Sequence, residues 1–175
     1  METVDIGFLR ETAALLYDGA WLAERTATLE TLLREDPEAI HPVVRDIVAA
    51  GISKTAVDTF RDLYKLQHSV RQAETMWQSV DLLLLPTAPT IYSIVDMLSE
   101  PVTLNARLGA YTNWVNLLDM AAVAIPVGFR ANRTGFGVTL MAPAGTDRAL
   151  LDHGGTLLAR FDPAPLPALD LETRP

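Results

Sequence analysis

A short apolar run that stops at proline constrains the fold of this chain more than any other feature. Residues 81–89 read DLLLLPTAP, so four leucines follow an acid and lead directly into Pro86 and Pro89. Four residues suit a strand better than a helix, and proline cannot continue a β-ladder. A strand with no polar position is typical of one that is covered on both faces. The run therefore predicts the central strand of an α/β fold.

The composition excludes several classes of protein. The 175 residues are 49% hydrophobic, which is enough for one domain with its own core. The formal charge of -8 argues against nucleic-acid binding, because phosphates require a basic surface. The absence of cysteine excludes disulfides and thiolate metal sites. Residues 120–127, the longest apolar stretch, are too short to span a bilayer, and the acid at Glu2 is unlike a secretory signal, so we expect a cytoplasmic protein.

Helical periodicity dominates the first half of the chain. Apolar residues recur at helical spacing in four segments, which predict helices over residues 5–17, 21–35, 37–51 and 53–80. Asp18, Asp36 and Ser53 each precede one of these helices and are expected to cap its first turn. The last of the four leads directly into the leucine run.

The second half alternates between helix and strand patterns. Residues 90–101 are expected to be irregular, and residues 104–119 to form a helix. Apolar segments at 122–129 and 136–142, joined by a polar turn, predict a β-hairpin. A last helix is expected to begin at Thr146 or Asp147.

These elements predict an α/β fold with a helix-rich N-terminal part followed by a few strands. Three strands are few for this many helices, so we expect a piece of a larger sheet. Residues 1–162 are predicted to form the domain. The proline-rich residues 163–175 are expected to be a linker or a disordered end.

Recognisable catalytic machinery is missing from the sequence. None of the five serines lies in a G-x-S-x-G elbow or a glycine-serine-rich turn. The only lysines, Lys54 and Lys65, both fall on the predicted long helix, and the three histidines stand apart without ligand spacing. We therefore expect no catalytic residue, no metal and no cofactor in this chain.

Arg25 lies within the apolar stripe of the predicted helix 21–35. Its neighbours one turn away carry no carboxylate; they are Trp21, Leu22, Thr28 and Leu29. A buried guanidinium needs an anion, and its planar fork matches a carboxylate at two points. A tertiary salt bridge or a snorkelling side chain would explain the same pattern. Tyr17, beside the break at Asp18, could point its hydroxyl into the same space or could be a half-buried core residue.

Several motifs resemble a known family. Three segments resemble the C-terminal half of amidase signature enzymes and occur in the same order as there. They are LLLLPTAPTIY, LNARLGAYTNWVNLLDMAAVAIPVGFR and GFGVTLMAPAGTDRALL. LLYDGAWLAER and EAIHPVVRDIV are similar to the allophanate hydrolase subgroup. The likeness covers roughly residues 5–160.

The resemblance implies a partial α/β/α sandwich with a few strands of a mixed sheet, and no metal or organic cofactor. Family members use a serine, a second serine in a cis peptide and a lysine, which lie in the N-terminal half and have no counterpart in this chain. The implied reaction is hydrolysis of the linear amide C–N bond of allophanate, with release of ammonia, in urea degradation. We expect this chain to be inactive alone.

The resemblance also assigns a site. Tyr17 and Arg25 of LLYDGAWLAER match residues that hold the carboxylate end of a small anionic amide substrate. Tyr92 and Asn105 lie in matching motifs without an assigned role. A missing N-terminal half or a second copy of the chain is an expected partner; nucleic acid and membrane are not. The alternatives are a non-catalytic remnant, an oligomerisation or regulatory domain, and part of a general amidase or amidotransferase subunit.

Overall fold

A computed structural model describes residues 2–161 of the chain, so the predicted tail at 163–175 lies outside the described residues. The helical half contains α1 (Gly7–Asp18), α2 (Trp21–Glu35), α3 (Pro42–Ala49) and α4 (Ala56–Met76), with 3₁₀ turns at Pro37–Ala39 and Ala50–Ser53. The second half contains β1 (Leu83–Pro86), α5 (Ile94–Ser99), α6 (Pro101–Leu108), α7 (Trp114–Leu117), β2 (Met120–Phe129), β3 (Gly135–Pro143) and α8 (Asp147–Leu158).

The predicted third helix begins later than expected. Asp36 makes no side-chain cap, and Pro37 opens only a 3₁₀ turn. The helix begins at Pro42, since a residue before proline is disfavoured in the α conformation and His41 is extended at φ -52° and ψ 131°. Proline suits the first helical position, where its missing N–H has no partner to lose.

The cap of the long helix α4 is also different from the prediction. Thr55, rather than Ser53, accepts from the backbone N–H of Asp58 at 3.1 Å. The Asp58 carboxylate in turn accepts from the backbone N–H of Thr55 at 3.0 Å, which completes a capping box. The Ser53 hydroxyl donates instead to the carbonyl of Ala50 at 2.9 Å.

The segment between β1 and β2 is more helical, and more broken, than predicted. Residues expected to be irregular include α5, which Ser93 caps by accepting from the backbone N–H of Asp96 at 3.1 Å. The helix expected over 104–119 is instead split into α6 and α7, because residues 109–113 form turns around Gly109.

The sheet has the order β1-β3-β2 and all pairs are antiparallel. The predicted hairpin is confirmed, with Ile125 opposite Val138. The prediction that β1 is the central strand is wrong for the sheet of residues 2–161, because β3 lies between β1 and β2. That β1 is an inner strand of a larger sheet stays a prediction. Leu83 is 5% exposed but Leu84 is 36% exposed.

The two faces of β3 belong to two separate cores. Met141 packs with residues of α1, α4 and α7, whereas Leu140 and Ala142 pack with Leu150 of α8. The sheet is therefore an α/β/α sandwich, as predicted. Helix α8 lies mainly over β2, which explains why the same face of β1 is left open at Leu84.

Within residues 2–161, no helix is both long enough and apolar enough to cross a membrane.

Candidate functional site

The corner between α1 and α2 places Tyr17 in the last turn of one helix and Arg25 in the second turn of the next. The chain turns through Gly19, which has an extended backbone at φ -89° and ψ -173°. A Cβ at Gly19 would lie 2.9 Å from the Asp62 carboxylate and would press on the Leu15 carbonyl. Glycine is therefore required for α4 to approach this corner.

Asp62 of α4 holds the corner in place. Asp62 is buried, with its side chain 10% exposed, and its Oδ2 accepts from the backbone N–H of Ala20 at 2.9 Å. Oδ1 accepts from Lys65 Nζ, also at 2.9 Å. The prediction that Asp18 caps α2 is wrong. The carboxylate of Asp62, 42 residues from Ala20 in sequence, accepts from the backbone N–H at the start of the helix instead. Lys54 of the turn before α4 adds a second link by donating to the Asp18 carbonyl at 2.5 Å.

The charge state of Asp62 follows from its surroundings. Burial by itself would raise the pKa of Asp62, but hydrogen bonds from Lys65 and from the Ala20 N–H outweigh burial and lower the pKa below its ordinary value. The carboxylate is therefore ionised at neutral pH. A negative charge at the start of α2 also interacts favourably with the helix dipole.

The inner face of α2 is fixed by Thr26, the neighbour of Arg25. The Thr26 hydroxyl is buried and donates to the Val48 carbonyl at 2.5 Å, with the Leu22 carbonyl 2.9 Å away. A Cβ at Gly51 would overlap the Thr26 hydroxyl, so this contact also depends on a glycine. These contacts set the rotation of α2 and hence the direction in which Arg25 leaves the helix.

Tyr17 has a partner that the sequence did not indicate. Its hydroxyl accepts from Asn113 Nδ2 at 2.9 Å, across 96 residues of chain. A Cβ at Gly109 would overlap the Asn113 side chain, so glycine leaves the space that this amide occupies. A phenol has one proton to donate, and the amide bonds to a lone pair of the oxygen. The Tyr17 proton is therefore not used in this bond, and no hydrogen bond donated by the Tyr17 hydroxyl is found within residues 2–161.

Arg25 is half-buried, and in the described part of the chain it lies within 4.0 Å of no carboxylate. The alternative of a tertiary salt bridge is therefore not found among residues 2–161. A snorkelling side chain is compatible with the same exposure. The guanidinium retains its donors for an anion.

The structure joins Tyr17 to Asn113 and does not join it to Arg25. Both predicted residues flank one corner, but no hydrogen bond links them, and their joint contact with a ligand stays a prediction. Tyr92 is half-buried and Asn105 is exposed on α6. Neither makes a side-chain hydrogen bond to the described residues.

Sequence reasoning missed Asn113 and Asp62 for different reasons. The sequence shows Asn113 as a polar residue next to Trp114, which is fully buried, but it does not show that Asn113 bonds to Tyr17. Asp62 and Lys65 have the spacing of an ordinary exposed ion pair on a helix. Nothing local distinguishes that pair from a carboxylate buried by another element.

A cleft of about 630 Å³ lies between the hairpin and the segment after β1. Its walls are almost entirely apolar and include Thr87, Ile91, Pro126, Phe129, Phe136 and Leu158. Arg130 lies 5.6 Å from the centre of the Phe136 ring, and the cleft contains neither Tyr17 nor Arg25. An apolar wall of this kind suits contact with protein better than binding of a small anion.

Catalytic groups do not meet in the described residues. No serine hydroxyl there bonds to a lysine or histidine side chain; their partners are mainly backbone carbonyls, as expected for turns and caps. No group of three or more His, Asp or Glu side chains is placed to hold a metal within residues 2–161. The described residues thus form part of an α/β/α domain with a candidate binding corner, and no complete catalytic centre is found among them.

Comparison with known proteins places this region in a family. The sequence profile named Amidase matches residues 4–151, so the chain belongs to the Amidase family. The urea amidolyase of Saccharomyces cerevisiae is 38% identical over 151 residues, which are 85% of this chain and 8% of that protein. The urea amidolyase of Lachancea kluyveri is 39% identical over 152 residues, which are 86% and 8% of the two chains.

Solved structures agree with the sequence comparison. The allophanate hydrolase of Kluyveromyces lactis superposes with a TM-score of 0.85 at 34% identity, over 89% of this chain and 26% of that chain. The predicted resemblance is therefore confirmed. The chain spans about a quarter of that structure and less than a tenth of the two urea amidolyases.

Proposed function

We propose that this chain is the substrate-binding part of an amidohydrolase that acts on allophanate. The complete enzyme cleaves the linear amide C–N bond: water adds to the acyl carbon, the C–N bond breaks, and nitrogen leaves as ammonia. This chain contributes the corner that holds the carboxylate end of the substrate. Similarity to an allophanate hydrolase with a TM-score of 0.85 supports the proposal.

The hydrogen bond between Asn113 and Tyr17 is the observation that carries the proposal. Because Asn113 donates, the phenolic proton of Tyr17 is directed to another acceptor, and a substrate carboxylate is such an acceptor. Arg25 supplies a planar pair of donors on the next helix. A charge-assisted hydrogen bond of this kind contributes about 1.5–3 kcal/mol.

Hydrolysis itself needs a nucleophile and a proton relay, which we assign to polypeptide outside this chain. The 175-residue chain is accordingly proposed to be inactive alone. The proposal includes a cytoplasmic location, no metal or organic cofactor, and no nucleic-acid or membrane partner.

A chimera tests the proposal. The 151 residues of this chain that align with the Saccharomyces cerevisiae urea amidolyase replace the matching segment of that protein, and ammonia release is measured with allophanate and with acetamide. We expect activity with allophanate and little with acetamide, and none with the 175-residue chain alone. A chimera that prefers acetamide would indicate a general amidase, and an inactive chimera beside an active parent would indicate a non-catalytic remnant.

Arg25→Ala in the active chimera separates binding from chemistry. Loss of about 1–3 kcal/mol of binding raises KM for allophanate about 5- to 150-fold while kcat changes little. Arg34→Ala is the matched control, because Arg34 lies on the same helix and its one ion pair within residues 2–161 is with exposed Glu35. An unchanged KM for Arg25→Ala would remove Arg25 from the site.

A further inference from the structure

Two side chains from outside α1 and α2 bond to the backbone of the corner between these helices. The Asp62 carboxylate of α4 accepts from the Ala20 N–H, and Lys54, just before α4, donates to the Asp18 carbonyl. The bonded residues are 42 and 36 positions apart in sequence. Only Gly19 lies between Asp18 and Ala20, so the two bonds hold the chain on both sides of a single residue.

The charges of these two side chains match the helix ends that they contact. Helix α1 ends at Asp18 and has no basic residue in its last turn, so Lys54 supplies the positive charge that a helix C-terminus favours. Helix α2 begins at Trp21, and the Asp62 carboxylate lies at its N-terminus, where a negative charge is favourable. Both contacts therefore stabilise the junction of the two helices.

The contact at Asp62 leaves little freedom of movement. Asp62 is buried, and a Cβ at Gly19 would lie 2.9 Å from its carboxylate. A buried charge that loses a hydrogen-bond donor is costly, so the bond to the Ala20 N–H is not readily released. Further along α4, Ala73 belongs to the same core cluster as Leu9 of α1. Helix α4 is therefore joined to α1 at two places and forms a rigid support for the corner.

The angle at the corner determines how Tyr17 and Arg25 are placed relative to each other. Tyr17 lies directly before the corner, and Arg25 lies in the second turn of α2. Asn113 bonds to the Tyr17 hydroxyl, whereas Arg25 has no ion pair within residues 2–161. Groups that bind one ligand together must be held to within about 0.5 Å, and a displacement of about 1 Å can cost about 100-fold.

We propose that Asp62 and Lys54 are positioning residues for the carboxylate of the substrate. By bonding to the backbone on both sides of Gly19, they set the angle between α1 and α2, and hence the separation of the Tyr17 hydroxyl from the Arg25 guanidinium. This inference rests on the proposed function, because it requires both groups to bind the same carboxylate. Asp62 has the larger share, since its contact is buried and that of Lys54 is exposed.

A distance measurement on the 175-residue chain tests the positioning without any substrate. The chain has no cysteine, so Glu11→Cys on α1 and Glu30→Cys on α2, both at exposed positions, accept one spin label each. Pulsed electron paramagnetic resonance should give one narrow distance distribution, which Asp62→Ala broadens or shifts. Asp62→Asn should largely preserve it, because an amide oxygen still accepts from the Ala20 N–H.

Lys54→Met and Lys65→Met form a matched pair in the same experiment. Lys65 donates to Oδ1 of Asp62 at 2.9 Å and to no backbone group of the corner. We expect Lys54→Met to broaden the distance distribution and Lys65→Met to leave it unchanged. Circular dichroism establishes that each variant is folded, and the exposed Lys54 contact provides a test even if Asp62→Ala does not fold. A distribution that Lys54→Met leaves unchanged, or that Lys65→Met changes equally, would overturn the inference.

Kinetics in the active chimera test the consequence for the substrate. Asp62→Ala should raise KM for allophanate about 10-fold, and Lys54→Met about 3-fold, with little change in kcat. Asp62→Asn should recover most of the affinity. A variant that only destabilises the fold would lower the amount of active enzyme and leave KM unchanged.

The same kinetics distinguish failure of this inference from failure of the proposed function. If Arg25→Ala raises KM but Asp62→Ala and Lys54→Met do not, the positioning role is wrong and the proposed function stands. A chimera that is inactive with allophanate contradicts the proposed function, and the distance distributions then still decide whether Asp62 and Lys54 set the angle between α1 and α2.

Discussion

The α1–α2 corner and the β1 end of the sheet differ in whether their polar groups and apolar side chains find partners within residues 2–161. At the corner, polar groups meet partners within the chain: Ala20 and Lys65 with Asp62, Lys54 with the Asp18 carbonyl. At the sheet end, β1 pairs with β3 alone among the described residues, and Leu84 is exposed. Within residues 2–161 the corner is therefore held by contacts of the chain itself, whereas β1 is an edge strand of the sheet.

This difference separates two kinds of stabilisation. Hydrogen bonds at the corner link residues that are far apart in sequence but all inside this chain. Apolar burial at the sheet needs a covering layer, and α8 covers β2 and β3 but not the outer part of β1. The corner is a candidate for binding a small polar ligand, and the sheet end is a candidate for contact with protein.

The largest expected effect compares adjacent leucines of β1. Leu83 is 5% exposed in the core with Met141, so Leu83→Ala should lower the free energy of unfolding by about 2–5 kcal/mol. Leu84 is 36% exposed, and Leu84→Ala should lower it by less than about 1 kcal/mol. Urea denaturation measures both. Equal losses would mean that the outer face of β1 is covered.

At the corner, the next largest effect distinguishes charge from hydrogen bonding at Asp62. Asp62→Ala leaves the buried N–H of Ala20 without an acceptor, which costs about 1–3 kcal/mol of unfolding free energy. Asp62→Asn keeps an acceptor for Ala20 and loses only the charge, so its loss should be smaller. Denaturation midpoints at pH 7 give the comparison. If the two variants lose the same stability, the hydrogen bond to Ala20 does not hold the corner.

Asn113→Asp tests the direction of the hydrogen bond to Tyr17. A carboxylate at this position would accept the Tyr17 proton and would repel an anionic substrate, so KM in the chimera should rise about 10- to 100-fold, equivalent to 1.4–2.7 kcal/mol. Asn113→Ala should have a smaller effect, because it removes the donor without adding charge.

The control for that prediction is Asn116→Asp, which adds the same charge at an exposed position of α7. Its KM should stay close to that of the parent chimera. If Asn113→Asp changes KM no more than Asn116→Asp does, Asn113 has no part in presenting the Tyr17 proton to the substrate.

The smallest expected effect is the pH dependence of the corner. Because the folded pKa of Asp62 is below its ordinary value of 3.8, its carboxylate stabilises the fold at pH values above the unfolded pKa. That contribution is lost as the pH falls through the lower, folded pKa. As the pH falls from 5 into the acidic range, the free energy of unfolding should therefore decrease less for Asp62→Asn than for the unaltered chain. Urea denaturation at each pH measures both. If the two proteins lose stability in parallel, the assigned charge state of Asp62 is wrong.

Several elements could be predicted because their signals are local. Helix α2 occupies residues 21–35 as expected, since its apolar period lies between two strong breakers, Asp18-Gly19 and Asp36-Pro37. The hairpin follows from two apolar runs around a polar turn. Tyr17 and Arg25 could be singled out because a family motif contains both and because arginine is unusual in an apolar stripe.

Other elements depend on contacts that no local pattern contains. The break between α6 and α7 occurs where Gly109 makes room for the Asn113 side chain. The position of β1 at the edge of the sheet depends on which strands pair with β3. A run of leucines is compatible with either an edge strand or a central strand, so the sequence does not distinguish the two. These features could not have been predicted from spacing alone.

The sequence by itself determined the fold class, the family, the two candidate binding residues and the lack of recognisable catalytic machinery, because composition, periodicity and motifs are properties of the chain. Only the tertiary structure decided that Asp62 accepts from the Ala20 N–H at the corner, that Asn113 bonds to the Tyr17 hydroxyl and that α4 exposes Phe60 and Tyr64. The physical reason is distance along the chain: these partners are 42 and 96 residues apart, and folding alone brings them together.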